Sequence, residues 1–244
     1  MALSPLVLPG DPIPPGALPT SSNPSIPLKL GPGLRHIPPD RIVPVVAGEL
    51  CIDHKKNAVW VETNGGRYIP TAGDLILATV HHSTSDSFSC SISPHTPFAS
   101  LPHLAFAGVT RKTRPQLNPG SLVYARIALA NKHMDPEIEC VNPATGKSDG
   151  MGELKGGMLF DVSLGMSRRL MMPNPSAQGS MVILDEIAEK VPFEMAVGRN
   201  GRVWVDAEGV AKTLVVGRAI QETDEGNLGV DEQRKVAKRL LRDL

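Results

Sequence analysis

Aromatic side chains make up only 4% of the 244 residues, cysteines number three, and basic and acidic side chains balance at 25 each. Each scarcity excludes something. So few aromatics leave no material for large stacked cores and point to small domains filled by aliphatic side chains. Cys51, Cys90 and Cys140 are odd in number, far apart and never form a C-x-x-C pair. That excludes a disulfide framework and a structural zinc site, and implies a reducing compartment. With a formal net charge of +0, no whole-molecule field draws the chain to a polyanion, so a nucleic-acid site has to be a local basic patch. No apolar run approaches the roughly 18 residues of a membrane span. The opening MALSPLVLPGDPIPPG has no basic segment and is broken by proline, so neither a signal peptide nor a membrane partner is expected. The reading is of a soluble intracellular protein.

Proline, by contrast, is abundant. It crowds residues 1–44, forbids long helices there and predicts an extended, partly flexible arm. Short β-patterned runs follow at 42–46, 48–53, 58–62 and, after an Asn64-Gly65-Gly66 turn signal, 67–69, so residues 1–70 read as an arm and a small β-rich domain. Residues 71–145 carry five strand-like runs, 74–81, 87–93, 98–101, 121–130 and 137–141, with one long connection over 106–120. That is the strand count of a five-stranded OB-type barrel, a fold that binds oligonucleotides on one face. A glycine-rich break over 146–157 opens the third region, 146–244, which reads as α+β. It begins with a strand at 158–163 and a short helix at 165–172 stopped by Pro173. An amphipathic helix follows over 180–190, with Ser180 as N-cap and Pro192 as stop. Apolar runs at 193–197 and 202–206 flank Gly198-Arg199-Asn200-Gly201, a turn whose glycines and asparagine tolerate positive φ. Helical patterns close the chain at 209–220 and 231–244.

No sequence motif commits to catalysis. Ala144-Thr145-Gly146-Lys147-Ser148 invites a phosphate-loop reading, but Val141 stands where that motif needs glycine. His81, His82, His95, His103 and His133 with Cys90 show no metal-ligand spacing. Asp135, Glu137 and Glu139 could in principle hold two metal ions on one strand face, which keeps a metal-dependent nuclease as a third reading. The densest basic cluster of the barrel region is Arg111, Lys112 and Arg114, in the long connection, and is the candidate phosphate contact; Arg168-Arg169 is the runner-up. The barrel offers few stacking aromatics, Phe88, Phe98, Phe106 and Tyr124, so weak RNA binding by the isolated chain is expected. The GxxG loop of a nucleic-acid-binding KH domain joins two helices, whereas β-runs flank Gly198 to Gly201 here, which favours a structural turn.

Taken in order, several segments resemble one family. They are Val7-Leu8-Pro9-Gly10-Asp11, Gly65-Gly66-Arg67-Tyr68-Ile69-Pro70 before Gly73-Asp74, Arg111 to Pro115, Ala130-Asn131-Lys132-His133-Met134-Asp135-Pro136-Glu137, Asp149-Gly150-Met151-Gly152, and Gly198-Arg199-Asn200-Gly201-Arg202-Val203-Trp204-Val205. The chain resembles the cap-subunit family of the eukaryotic RNA exosome known as ribosomal RNA-processing protein 40. The resemblance implies a β-rich N-terminal domain, an S1-type OB barrel and a C-terminal KH-like domain. It also implies a non-catalytic subunit without cofactor or small-molecule substrate, in the nucleus, nucleolus and cytoplasm. Such a subunit sits with other cap subunits on a ring of RNase PH-like proteins, stabilises it, and guides single-stranded RNA into a channel for 3′-5′ degradation and processing, ribosomal RNA included. Arg111, Lys112 and Arg114 would face the channel entrance, Gly10 and Asp11 would serve docking to the ring, and the turn from Gly198 to Gly201 would lie buried against the barrel. The alternative is a translation or ribosome-associated RNA-binding factor.

Overall fold

The computed structural model describes residues 6–13, 16, 18–19, 27–54, 57–63, 66–94, 96–110, 112–172, 174–178 and 181–242. The chain divides into two compact units, Met1–Gly66 and Arg67–Leu244.

In the first unit, strands β1 (Leu6–Val7), β5 (Gly48–Asp53), β6 (Ala58–Glu62) and β2 (Lys29–Leu30) form one sheet in the order β1-β5-β6-β2. Strands β3 (Leu34–Ile37) and β4 (Arg41–Pro44) form a separate hairpin. Alternation explains the core: Val59 and Val61 of β6 and Leu50 of β5 point inward and meet Val7, Ile13 and Ile42. The arm therefore contributes a strand, with Leu6 opposite Glu49. The strand expected at 67–69 does not form, because Tyr68 leaves this unit and is buried in the core of the next. Asn64 and Gly65 of the expected turn lie outside the described residues.

The second unit opens with the barrel: β7 (Leu75–Ser83), β8 (Ser87–Ser91), β9 (Ala99–Pro102), β10 (Leu122–Leu129) and β11 (Glu137–Glu139). Antiparallel pairs join β9 to β8, β8 to β7, β7 to β10 and β10 to β11, and the parallel pair β9–β11 closes the ring. This is the expected five-stranded barrel. Val123, Ala125 and Ile127 of β10 alternate inward to meet Ile76, Val80, Phe88, Leu101 and Ile138. A further strand, β12 (Gly152–Leu154), adds to the outer side of β10 from within the glycine-rich break, 146–157, that the sequence reading places between barrel and third region.

The α+β part follows. Its sheet has the order β13 (Met158–Asp161), β15 (Arg202–Ala207), β14 (Phe193–Gly198). Around it lie α1 (Leu164–Leu170), α2 (Pro175–Gln178), α3 (Ile183–Ala188), α4 (Val210–Glu225) and α5 (Val230–Arg242). Phe160, Met166, Ile187, Val205, Val216 and Ile220 share the core. Gly217 sits in the middle of α4 because a Cβ there would stand 2.1 Å from the Phe160 ring.

The start of α3 differs from expectation. Val182, not Ser180, occupies the N-cap position, and Ser180 lies outside the described residues. The cap is supplied from a distance: Gln233 of α5, fully buried, accepts from the amides of Val182 (3.0 Å) and Ile183 (3.3 Å) and donates to the Leu228 carbonyl (2.9 Å). Those amides are helix-start donors that need an acceptor.

Candidate nucleic-acid interface

The turn between β14 and β15 is inserted against the outside of the barrel. Asn200 is buried, and its side-chain amide works as a plug: Oδ1 accepts from the Leu77 amide (3.2 Å), while Nδ2 donates to the carbonyls of Leu77 (2.8 Å) and Ile92 (2.6 Å). The Arg199 amide donates to the Leu75 carbonyl at 2.8 Å. A Cβ on Gly198 would fall 2.3 Å from Asn200 Oδ1 and 2.7 Å from the Leu77 nitrogen, so only glycine admits this approach. Of the four residues only Gly201 takes positive φ, +75°, and its carbonyl accepts from the Val162 amide. Asn200 is thus kept for its side chain and not for a left-handed backbone.

Charged groups complete the contact. Arg202, 12% exposed at its side chain, donates to the Ser91 carbonyl (3.2 Å) and pairs with Asp161 at 3.7 Å. Burial pulls its guanidinium below the usual arginine range, and Asp161 opposes that shift. Arg199 approaches Asp74 at 3.6 Å, and Asp74 also accepts from the Tyr68 hydroxyl at 2.9 Å. Burial, reinforced by Asp74, raises the Tyr68 phenol well above its ordinary value. The sequence carried one signal for this contact: Ile76, Leu77 and Ala78 are consecutively apolar, the mark of a strand covered on both faces.

The basic loop lies elsewhere on the barrel. The Thr110 amide donates to Thr113 Oγ1 and the Thr113 amide returns a bond to the Thr110 carbonyl, both at 3.0 Å, forming a tight turn with Lys112 exposed in it. Arg111 lies outside the described residues. Arg114 reaches back to within 3.5 Å of His103 Nδ1, over a cleft lined by Ser85, Asp86, Pro102 and Leu104. His103 is buried and tilts against Phe88 with ring centres 4.4 Å apart.

Beside this cleft, on the outer face of β8 and β9, is a second groove lined by His82, Thr84, Ser87, Ser89, Phe98 and Asp135, among others. The sequence reading passes it over. Phe98 is 45% exposed and packs against His81 at 4.8 Å. His81 Nδ1 lies 3.1 Å from His82 Nδ1, so one ring donates to the other. The bulge between Val80 and His82 turns both histidines toward the same region.

The remaining candidates are dispersed. Gly10, at φ +90°, and Asp11 form a turn in the first unit, where Asp11 Oδ2 accepts from the Leu8 amide at 2.8 Å. Glu139 is engaged by Arg126, whose Nε lies 3.1 Å from it, while Glu137 is exposed. Among the described residues no group of three His, Cys, Asp or Glu side chains could hold a metal ion; His95 lies outside them. Gly146 and its neighbours form a turn closed on the Asn142 carbonyl, with no helix following at which a phosphate could sit. Arg168 and Arg169 occupy the last turn of α1.

An OB-type barrel locked to a three-stranded α+β fold of KH order is a modular RNA-binding architecture. Residues 28–67 match the exosome complex exonuclease Rrp40 N-terminal domain, 68–152 the S1 domain of exosome complex component RRP40, and 157–211 a KH domain. The exosome complex component rrp40 of Schizosaccharomyces pombe is 38% identical over 89% of this chain and 88% of its own. The Saccharomyces cerevisiae component RRP40 is 34% identical over 99% and 98%, and the human one 32% identical over 86% and 74%. A crystal structure described as an exosome complex RNA-binding protein superposes with a TM-score of 0.57 at 18% identity, over 72% of this chain and 97% of that one. The chain belongs to the family of exosome complex component RRP40.

Proposed function

We propose that the chain is a non-catalytic RNA-binding cap subunit of an RNA exosome, acting with RNase PH-like ring subunits, other cap subunits and single-stranded RNA in the nucleus, nucleolus and cytoplasm. The observation that carries this reading is the agreement of three domains, in order, with relatives that span nearly the whole of both chains. Lys112 and Arg114, with Arg111 beside them in sequence, are the phosphate contacts; Gly10 and Asp11 serve docking to the ring. The turn from Gly198 to Gly201 is structural, since Asn200 is engaged with Leu77 and Ile92. No G-x-x-G occurs between α1 and α3, where a KH domain clamps nucleotides, so RNA contact falls to the barrel.

Affinity purification of the tagged chain from its own cells tests the assembly. Near-equal amounts of RNase PH-like proteins are expected, with no ribonuclease activity from the lone recombinant chain; ribosomal partners or an active lone chain would overturn the reading. Alanine at Arg111, Lys112 and Arg114 together should weaken RNA protection by the assembled complex and leave assembly intact. Loss of three phosphate contacts on a single strand should flatten the slope of log K against log salt by about 2. Unchanged protection and slope would remove the patch from the mechanism.

A further inference from the structure

We propose that the outer face of α5 holds the phosphate backbone of double-stranded RNA, through Lys235, Lys238 and Arg242. The site is separate from the single-strand contacts assigned to Arg111, Lys112 and Arg114 and does not depend on them.

The helix, Val230–Arg242, buries Gln233, Ala237 and Leu240. At about 100° per residue these three fall within an arc of about 60°, and Lys235, Lys238 and Arg242 fall within an equal arc on the opposite side. All three cations are exposed, and among the described residues none of them meets a carboxylate. The carboxylates that α5 does engage go to its other arginines: Glu186 pairs with Arg234 at 3.2 Å and Glu222 with Arg239. Asp231, one turn before Lys235, leans to Arg234 at 3.9 Å.

The stability of the helix does not account for this stripe. Cations in a last turn complement the helix dipole, which explains Arg239 and Arg242 but not Lys235 and Lys238 further in. Moreover, Arg234 and Lys238, Lys235 and Arg239, and Lys238 and Arg242 stand four residues apart, and like charges at that spacing destabilise a helix. A row of phosphates along the face relieves the repulsion among the three unpaired cations.

Chemistry selects the occupant. Protein interfaces are built around buried aromatic or apolar anchors and are poor in lysine. This face offers no such anchor: α5 has no aromatic residue, and its partly buried Val236 and Leu241 pack into the core. Single-strand sites stack bases on aromatic rings, and nothing on α5 can stack. A duplex instead turns its bases inward and shows a protein its phosphates and 2′-hydroxyls. Three flexible cations spread over about 10 Å of helix suit that backbone and read no sequence. A single strand thus belongs to the barrel, and a duplex flank of the same RNA to α5.

The test measures binding of the full chain to a blunt RNA duplex of about 20 base pairs and, in parallel, to single-stranded oligouridine. Lys235→Ala, Lys238→Ala and Arg242→Ala together should weaken duplex binding about tenfold or more at low salt and flatten the slope of log K against log salt by about 2–3, at about 0.9 per phosphate. Oligouridine binding should be left unchanged. Lys235→Arg with Lys238→Arg keeps the charge and should restore duplex affinity. Lys235→Gln with Lys238→Gln, which leaves the last turn intact, should give a proportionate loss with the parent's melting temperature. Alanine at Arg111, Lys112 and Arg114 should show the reverse pattern, losing oligouridine and sparing the duplex. Failure of that loop variant alone would sink the single-strand reading and leave the stripe standing. Absence of duplex binding by the parent at low salt, or a duplex affinity and slope unmoved by the α5 variants, would overturn the proposal. Loss of a protein from the purified complex with duplex affinity intact would make the face a protein contact and overturn it equally.

Discussion

Replacing Asn200 by alanine removes the plug between the α+β fold and the barrel, and its effect can be worked from the three bonds to Leu77 N, Leu77 O and Ile92 O. A hydrogen bond contributes about 0.5–1.5 kcal/mol net, and a buried group left without a partner costs about 1–3 kcal/mol. Three bonds at about 1 kcal/mol each give a loss of about 3 kcal/mol, with water entering the vacated space and sparing part of the full penalty. In a domain of about 150–250 residues each kcal/mol moves Tm by about 2–4 °C, so a fall of about 6–12 °C is expected. Differential scanning calorimetry of the full chain reads this directly, and hydrogen exchange at the Leu77 amide reports whether the plug itself has gone. Asn200→Asp keeps an acceptor toward the Leu77 amide but sets a carboxylate oxygen against two carbonyls, so it should be more damaging than alanine at neutral pH. A fall below about 2 °C with the Leu77 amide still protected would refute the reasoning.

Gly198→Ala and Gly201→Ala should each lower Tm before they alter RNA affinity, the first through the 2.7 Å approach to the Leu77 nitrogen, the second through φ +75° and the Val162 carbonyl at 2.7 Å. A variant with normal Tm and an RNA defect alone would assign the turn to RNA. Burial pushes the Cys90 and Cys140 thiols up to about 12 each, so at neutral pH neither forms appreciable thiolate. Alkylation of the native chain should modify Cys51 alone and of the denatured chain all three; modification of Cys90 at the rate of Cys51 would show that the barrel opens readily.

Much of the barrel was legible because its strands are half-buried and alternate: Val123, Ala125 and Ile127 inward, Tyr124 and Arg126 outward. What escaped reading was non-local. β12 is three residues long, follows a glycine-rich loop, and exists only because β10 offers an edge. The cap of α3 comes from Gln233, some fifty residues further on, so no local serine could announce it. Arg67 to Ile69 carry strand propensity, but the Tyr68 ring is drawn into the barrel core and its hydroxyl to Asp74. Of the candidate site, the basic loop and the buried turn stood out as composition and as a glycine pattern. The groove did not, because His81, Phe98 and Asp135 are scattered in sequence and meet only through the closure of the barrel.

The insertion of the Gly198 to Gly201 turn also makes β7 common property of two folds. Its first residues are clamped by Asn200 and Arg199 on the outside and by core packing within, while its far end carries His81 and His82. Nine strand residues at about 3.3 Å each make a beam of about 30 Å. Because this one strand serves both packings, a substitution that displaces Leu75, Ile76 or Leu77 is felt by the barrel core and by the α+β fold together.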